Sequence, residues 1–298
     1  MQMTEAPDRG AIPAMTALTF AAFFWSGNFI AGRALGGMIP PLELNVIRWS
    51  LCLVLLLPLA LPGLLRCRAE LAVHWRLIVL LGLTGIAAFH TMVYQALTLT
   101  PAVNALLILS LAPVVTVIGG AIWNGFRPGK KQLAGLAISA VGAGIIVLSG
   151  GGDIRAGFAD AGSLWMLGAI LVWAAYSLLL RRRPACLPQD VTLTASVIVG
   201  LCVMAPLLAI EGIQPVPMTA PIIAAIGYIA VCASLLGFLL WSWGLDQIGP
   251  ERAGQFLHLM PAFGAVLAVT LLGERLTSAH VAGGAFAVFG IALVNRRP

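Results

Sequence analysis

The stretch HTMVYQALTLTPAVNALLILSLAPVVTV, from His90 to Val117, decides the fold class of this chain. It contains the end of one apolar helix, a turn of few residues at Thr98–Pro101 and most of the next helix. A similar plan returns in the second half as LLWSWGLDQIGPERAGQFLHLMPAFGAV, from Leu239 to Val266. Polar and aromatic residues interrupt both hydrophobic hairpins, and this pattern predicts a lined cavity inside a membrane protein, built twice.

The composition points to the same class of protein. Hydrophobic residues make up 60% of the 298 residues and charged residues 9%, whereas a soluble domain has about 25% charged residues. An apolar helix of about 20 residues crosses the hydrocarbon core of a bilayer. We therefore predict an all-α membrane protein with ten transmembrane helices. The predicted spans are 14–34, 42–61, 75–97, 101–123, 132–149, 162–181, 189–209, 219–245, 250–272 and 277–295.

The basic residues predict the orientation. Most of the 17 Lys and Arg residues fall in alternate loops, with clusters at Lys130–Lys131 and Arg181–Arg183. Cytoplasmic loops are enriched in Lys and Arg, so both termini are predicted to be cytoplasmic, in a multi-pass protein of the bacterial inner membrane. No basic stripe alternates with aromatic residues, so nucleic acid is not an expected partner. We expect a monomer whose partners are the lipid bilayer and a small-molecule substrate.

The chain also repeats itself at a constant offset of about 148 residues. Matching pairs include Trp25 with Trp173, Pro40 with Pro188, Pro58 with Pro206 and Pro113 with Pro261. Five spans per half is an odd number, so the second half must enter the membrane from the opposite side. We predict two inverted five-helix repeats, residues 1–149 and 150–298, which together form one transmembrane domain. Inverted repeats are frequent in secondary transporters.

Polar and aromatic residues mark six of the predicted helices as candidates for lining the cavity, namely helices 1, 3, 4, 6, 8 and 9. Helices 5 and 10 are rich in small residues, so they are predicted to be peripheral or to pack the halves together. Core packing is the alternative role for each Trp, and a structural hydrogen bond for each His. The candidate substrate-binding residues are Trp25, Asn28, His90, Tyr94, Asn104, Trp173, Tyr176, Trp241, Gln255 and His258.

Charged residues inside the spans are rare. By the predicted boundaries, all 11 acidic residues lie in loops or within about two turns of a helix end. The lack of a mid-helix carboxylate favours facilitated export, with proton coupling through His90 or His258 as the alternative. Arg48 is the one Arg well inside an apolar run, and it is expected to face protein or the outer water layer, or to snorkel to the interface.

With these features the chain resembles the drug/metabolite transporter superfamily, in its ten-helix EamA-type branch. The similar features are Trp25, Arg48, the helices that contain Pro113 and Pro261, and the Leu-Gly-Glu-Arg-Leu-Thr run at 272–277. The first half departs from the pattern, because Phe126 stands where Glu274 would align. Within the branch the chain resembles amino-acid and metabolite exporters, including YddG-type exporters of aromatic amino acids. The resemblance implies a secondary transporter that works by alternating access.

The expected substrate is a small neutral or zwitterionic metabolite, with aromatic or other apolar amino acids preferred, because aromatic rings and amides dominate the predicted lining. No GxxxxGK[ST], HExxH or GxSxG motif occurs, so we predict no enzyme activity, catalytic residue, metal site or cofactor. A proton-coupled drug/metabolite antiporter is one alternative. An intramembrane enzyme with a His base and a membrane receptor are alternatives from different classes.

Overall fold

The structure of the protein is a computed structural model, and it describes residues 11–124, 129–149, 160–248, 256–257 and 259–295. Every regular element within those ranges is helical. In the described part of the chain, ten helical columns follow one another, and a short helix, Arg68–Val73, connects the second to the third. They are α1 Ala11–Ala34, α2 Pro41–Arg66, α3 Trp75–Leu99, α4 Ala102–Trp123, α5 Lys130–Ser149, α6 Ala161–Leu180, α7 Gln189–Glu211, α8 Ala220–Ile248, α9 Leu259–Leu272 and α10 Ser278–Asn295.

The columns have the lengths and surfaces of membrane-spanning helices. Among the described residues, α1 to α4 and α6 to α8 are long and apolar enough to cross a bilayer, and α5, α9 and α10 carry shorter apolar stretches. Large apolar side chains face outward on several columns, including Ile122 and Ile210, whose exposed fractions are 81% and 82%. Lipid is the solvent that suits such a surface. The predicted all-α membrane fold is confirmed.

The packing of the columns follows an inverted duplication. Helix α1 packs against α8 and α9, and α6 packs against α3 and α4. The two sets of contacts are equivalent under the repeat, because α1, α8 and α9 correspond to α6, α3 and α4. In the same way α2 corresponds to α7 and α5 to α10, and the two helices of each pair pack against each other. The predicted arrangement of two inverted five-helix repeats is confirmed, and α5 with α10 joins the halves.

Local sequence signals fix the helix ends. Pro40 and Pro188, which match at the repeat offset, both occupy the N-cap position, of α2 and α7, with φ and ψ near −56° and 141° and near −57° and 154°. Asp160 caps α6, since its Oδ1 accepts the backbone N–H of Ser163 at 2.8 Å. Gly212 ends α7 with a φ of +83°, which glycine adopts without steric cost.

Two columns contain a π-helical segment at similar places in the two halves. The segments are Gly82–Ala88 in α3 and Tyr228–Leu236 in α8. Widening a helix in this way leaves carbonyl groups in need of other donors. His90 donates to a carbonyl of the first segment at 2.9 Å, Asn45 to another at 3.0 Å, and Trp25 to a carbonyl of the second at 3.0 Å. Buried and half-buried polar groups of side chains therefore stabilise both segments.

Candidate substrate site

Eight rings form a continuous chain across the interior of the bundle, from α8 through α1, α2 and α3 to α6. We call it the aromatic chain. The centroid distances are Trp241–Trp25 5.1 Å, Trp25–Phe238 5.4 Å, Phe238–Trp49 5.8 Å, Trp49–His90 5.4 Å, His90–Phe89 4.9 Å, Phe89–Trp173 4.7 Å and Trp173–Tyr176 5.3 Å. These distances lie in the range of favourable ring pairs. The aromatic chain contains residues of both halves, so it crosses the interface between the halves.

The aromatic chain brings together half of the residues predicted to bind substrate. Trp25, His90, Trp173, Tyr176 and Trp241 all belong to it. Each ring in the chain contacts its neighbours, so these five residues form one connected surface across the two halves. The prediction that they line a single site stays a prediction, which this connection supports.

Sequence reasoning missed three members of the aromatic chain. Trp49, Phe89 and Phe238 have the apolar character of ordinary core residues, so their residue types alone did not single them out. One signal could have found Phe238, because it is the counterpart of His90 at the repeat offset. Trp49 directly follows Arg48, so the only Arg within an apolar run also marks it.

A second set of side chains, the polar chain, runs beside the aromatic chain. The Tyr94 hydroxyl donates to Asn28 Oδ1 at 2.8 Å, and Arg48 Nη1 donates to the same hydroxyl at 3.0 Å. Arg48 Nε donates to Ser234 Oγ, which in turn donates to a carbonyl of its own helix. The polar chain therefore links α1, α3, α2 and α8. The Arg48 guanidinium lies 4.8 Å from the centre of the Trp49 ring, so the two chains touch.

Arg48 faces the protein interior. Its exposed fraction is 1%, and its contacts come from Tyr94, Ser234 and Trp49 rather than from the surface. The alternative that it snorkels to the interface is therefore wrong. Sequence reasoning did not include Arg48 among the substrate-binding residues, although its position inside an apolar run is the signal that could have placed it there.

Glycine allows the close approach that positions Tyr94. A Cβ atom added at Gly32 of α1 would lie 2.9 Å from two ring carbons of Tyr94 and 2.9 Å from a methyl group of Leu97. Real side chains do not approach so closely, because the repulsion rises steeply inside van der Waals contact. The absence of a side chain at position 32 therefore lets the tyrosine ring pack closely against α1, with its hydroxyl at Asn28.

Asn104 lies apart from both chains. Its Oδ1 accepts a hydrogen bond from His280 Nε2 at 2.6 Å. The other ring nitrogen of His280 accepts the backbone N–H of Thr277 at 3.0 Å, so Nε2 must carry the proton. Among the described residues, no hydrogen bond joins Asn104 to the aromatic or polar chain, and its contact holds α4 to α10. Gln255 and His258, the remaining predicted residues, lie outside the described residues.

Two carboxylates, Glu274 and Glu43, connect the halves at one end of the bundle. Glu274 accepts the backbone N–H groups of Ala102 and Val103 at 2.8 and 3.1 Å. We call this contact the Glu274 clamp. Glu43 accepts the backbone N–H of Gln214 at 3.2 Å. The clamp sits at the N-terminus of α4, where the helix dipole favours negative charge.

The polar chain is closed to solvent in this conformation. The exposed fractions are 5% for Asn28 and 2% for Tyr94, and the guanidinium of Arg48 lies between them and Ser234. A cavity of about 370 Å³ lies near Thr98 and Gln214, at the same end of the bundle as the Glu274 clamp. Its lining includes no residue of the aromatic chain or of the polar chain. Among the described residues, no three His, Cys, Asp or Glu side chains are grouped to hold a metal ion.

Comparison with known proteins identifies the family. The EamA-like transporter family matches residues 12–148 and, a second time, residues 160–296. The chain belongs to the EamA-like transporter family. It is therefore a multi-pass membrane transporter and not an enzyme, and the resemblance noted from the sequence is confirmed.

Several relatives are similar over nearly the whole length. A probable terminal-alkyne amino-acid exporter of Streptantibioticus cattleyicolor is 28% identical, over 95% of this chain and 94% of its own. A probable amino-acid metabolite efflux pump of Salmonella typhimurium is 26% identical, over 90% and 89%. A solved crystal structure at 21% identity matches with a TM-score of 0.66, covering 94% of this chain and 96% of its own. The solved structure shows that the two share a fold.

Proposed function

We propose that this EamA-family protein exports small neutral or zwitterionic metabolites, in particular amino acids with aromatic or other apolar side chains, from the cytoplasm by alternating access. The observation that carries the proposal is the aromatic chain, which crosses the interface between the inverted halves. Ring faces favour apolar and aromatic side chains, and sites between inverted repeats become accessible from one side of the membrane at a time. Two relatives with amino-acid or amino-acid-metabolite export in their names support the same substrate class.

The proposed transport is facilitated, down the gradient of the metabolite. Coupled exchangers use an intramembrane carboxylate whose charge can be exchanged for that of the substrate. The carboxylates of Glu43, Asp160 and Glu274 are held by backbone N–H groups at helix ends or in loops. His90 is engaged by a carbonyl of its own helix. Liposomes with a pH gradient and no amino-acid gradient test this point: the proposal expects no accumulation, and uphill accumulation contradicts it.

The proposed orientation places both termini on the cytoplasmic side of the bacterial inner membrane, because the Arg- and Lys-rich loops favour that side. The Glu274 clamp then lies at the outer end of the bundle. A closed outer end is what an exporter shows before it releases substrate. The protein is proposed to act as a monomer, since each chain contains both halves of the interface.

A matched pair of tryptophans on α6 tests the substrate class in cells. Trp173 belongs to the aromatic chain, whereas Trp165 is 42% exposed on the same helix. Overexpression is expected to raise resistance to p-fluorophenylalanine and to speed phenylalanine efflux. Trp173→Leu removes two ring contacts, with Phe89 and Tyr176, of about 0.5–1.5 kcal/mol each. Efflux should therefore fall roughly 5- to 150-fold, while Trp165→Leu should leave it unchanged. Equal efflux in cells with and without the protein, over a panel of amino acids, contradicts the proposal.

A further inference from the structure

Arg48 is a buried cation, and the described part of the chain gives it no buried anion. Two of its N–H groups are used, one by Ser234 Oγ and one by the Tyr94 hydroxyl, and both partners are neutral. Among the residues that the structure describes, no carboxylate forms an ion pair with it. A guanidinium has five N–H donors, so three have no hydrogen-bond acceptor among the described residues. Nη2 carries two of them.

The packing around Arg48 supplies no counter-charge. A buried charge is normally paired, because its transfer from water is costly. An arginine at the centre of a membrane helix is costly to insert. The rings of Trp49 and Tyr94, at 4.8 and 5.9 Å, offset part of that cost through cation–π attraction. A neutral side chain could make the same two hydrogen bonds at lower cost, so the charge calls for a functional explanation.

Other donors near Arg48 also lack acceptors. Asn28 uses its Oδ1 to accept from Tyr94, and among the described residues its amide N–H₂ group has no partner. The indole N–H of Trp49, whose ring lies beside the guanidinium, is buried and has no partner either. Because Arg48 Nη1 and Asn28 Oδ1 both bond the Tyr94 hydroxyl, these groups are neighbours. Several donors therefore lie close together, and the described residues supply no acceptor for them.

We propose that Arg48, together with the amide of Asn28, binds the carboxylate of the transported molecule. A guanidinium matches a carboxylate with two parallel N–H···O bonds. One buried positive charge neutralises one negative charge, so a monocarboxylate fits better than a doubly charged phosphate. The apolar part of the molecule then lies on Trp49 and Trp25 of the aromatic chain. This inference rests on the proposed function and refines it. Transport requires the carboxylate of the substrate, whereas the amino group of the substrate is not the group that Arg48 and Asn28 bind.

A competition series on the wild-type protein tests the requirement without any substitution. Proteoliposomes that exchange labelled phenylalanine are challenged with 3-phenylpropionate, which keeps the carboxylate, and with phenylalaninamide and 2-phenylethylamine, which lack it. The expected result is that 3-phenylpropionate competes and that the other two compete at least 10-fold more weakly than phenylalanine. Competition by the amide or the amine within 2-fold of phenylalanine overturns the proposal.

Arg48→Gln tests the residue itself, with Arg33→Gln as its control. Arg33 donates to the Leu97 carbonyl at 2.8 Å and belongs to neither the aromatic chain nor the polar chain. In Arg48→Gln the phenylalanine flux should fall at least 10-fold while the phenylalaninamide flux stays level or rises. Arg33→Gln should keep the wild-type ratio of the two fluxes. A wild-type ratio in Arg48→Gln overturns the proposal. If Arg48→Gln does not fold, as judged by gel filtration, the competition series decides alone.

A thermal-shift arm separates failure of this inference from failure of the proposed function. If the wild type carries no amino acid, the proposed function is wrong, and stabilisation of the detergent-purified protein by 3-phenylpropionate still tests Arg48. The proposal expects 3-phenylpropionate to raise the melting temperature of the wild type and of Arg33→Gln, and 2-phenylethylamine to leave it unchanged. No stabilisation of the wild type, or equal stabilisation of Arg48→Gln, overturns the proposal.

Discussion

The Glu274 clamp is the contact between the halves whose removal has the clearest consequence. Its two oxygens accept the N–H groups of Ala102 and Val103, in the opposite half, at 2.8 and 3.1 Å. In an alternating-access cycle the halves must part at this end, so the clamp stabilises the closed conformation. Glu274→Gln keeps one oxygen as an acceptor and removes the charge and the second acceptor. We expect the variant to populate the conformation that is open at this end.

The size of the shift follows from the bonds lost. A hydrogen bond to a charged group contributes about 1.5–3 kcal/mol and a neutral one about 0.5–1.5 kcal/mol. Glu274 is only half-buried, so water reduces the contribution of its charge. A net loss of about 1–2 kcal/mol remains, which shifts the equilibrium roughly 5- to 30-fold, since 1.4 kcal/mol corresponds to a factor of ten.

Thr100 supplies the reporter for this shift. It lies next to the clamp, and its exposed fraction is 1%. Its hydroxyl has no hydrogen-bond partner among the described residues, so Thr100→Cys removes no hydrogen bond that the structure shows. In a protein whose five native cysteines are replaced, a membrane-impermeant thiol reagent should label Cys at position 100 roughly 5- to 30-fold faster with Glu274→Gln. Glu211→Gln, an exposed carboxylate at the same end, is the control. An unchanged labelling rate in Glu274→Gln, or an equal rise of that rate in Glu211→Gln, would show that the Glu274 clamp does not hold this end of the bundle closed.

Three further predictions concern stability and orientation. Gly32→Ala forces a Cβ to 2.9 Å from the Tyr94 ring and should destabilise the protein by about 1–3 kcal/mol; Gly227→Ala, whose Cβ meets nothing within 4 Å, should not, as thermal denaturation will show. Asn104→Ala leaves the His280 N–H without its acceptor and should cost about 1–3 kcal/mol with less than a 2-fold change in phenylalanine affinity; a large loss of affinity at unchanged stability would return Asn104 to the substrate site. The exposed Cys186 thiol should react with an impermeant reagent only after cells are permeabilised, and labelling of intact cells would reverse the proposed orientation.

The sequence predicted the architecture well because local properties determine it. The length of each apolar run is set by bilayer thickness, and the Trp and Pro matches at a constant offset reveal the duplication. Pro40 and Pro188 show how far this goes, since the paired prolines adopt nearly the same backbone conformation at the starts of α2 and α7. An odd number of spans in each half then requires the inversion.

The site was harder to predict, because it depends on which side chains meet across helices. Asn28 and Asn104 look alike in the sequence, as single amides in apolar helices, but one bonds Tyr94 and the other His280. Arg48 meets Ser234, which lies 186 residues further along the chain. Ser234 belongs to the second π-helical segment, and no apolar periodicity predicts such a segment.

Flux through the purified protein tests the central claim most directly. Liposomes that contain the wild type are loaded with labelled phenylalanine and diluted into buffer of the same pH, without any other gradient. The aromatic chain between the inverted halves predicts saturable efflux at least 10-fold faster than from protein-free liposomes, and slower efflux with Trp173→Leu but not with Trp165→Leu. Efflux at the protein-free rate for phenylalanine and for every other apolar amino acid would contradict the account.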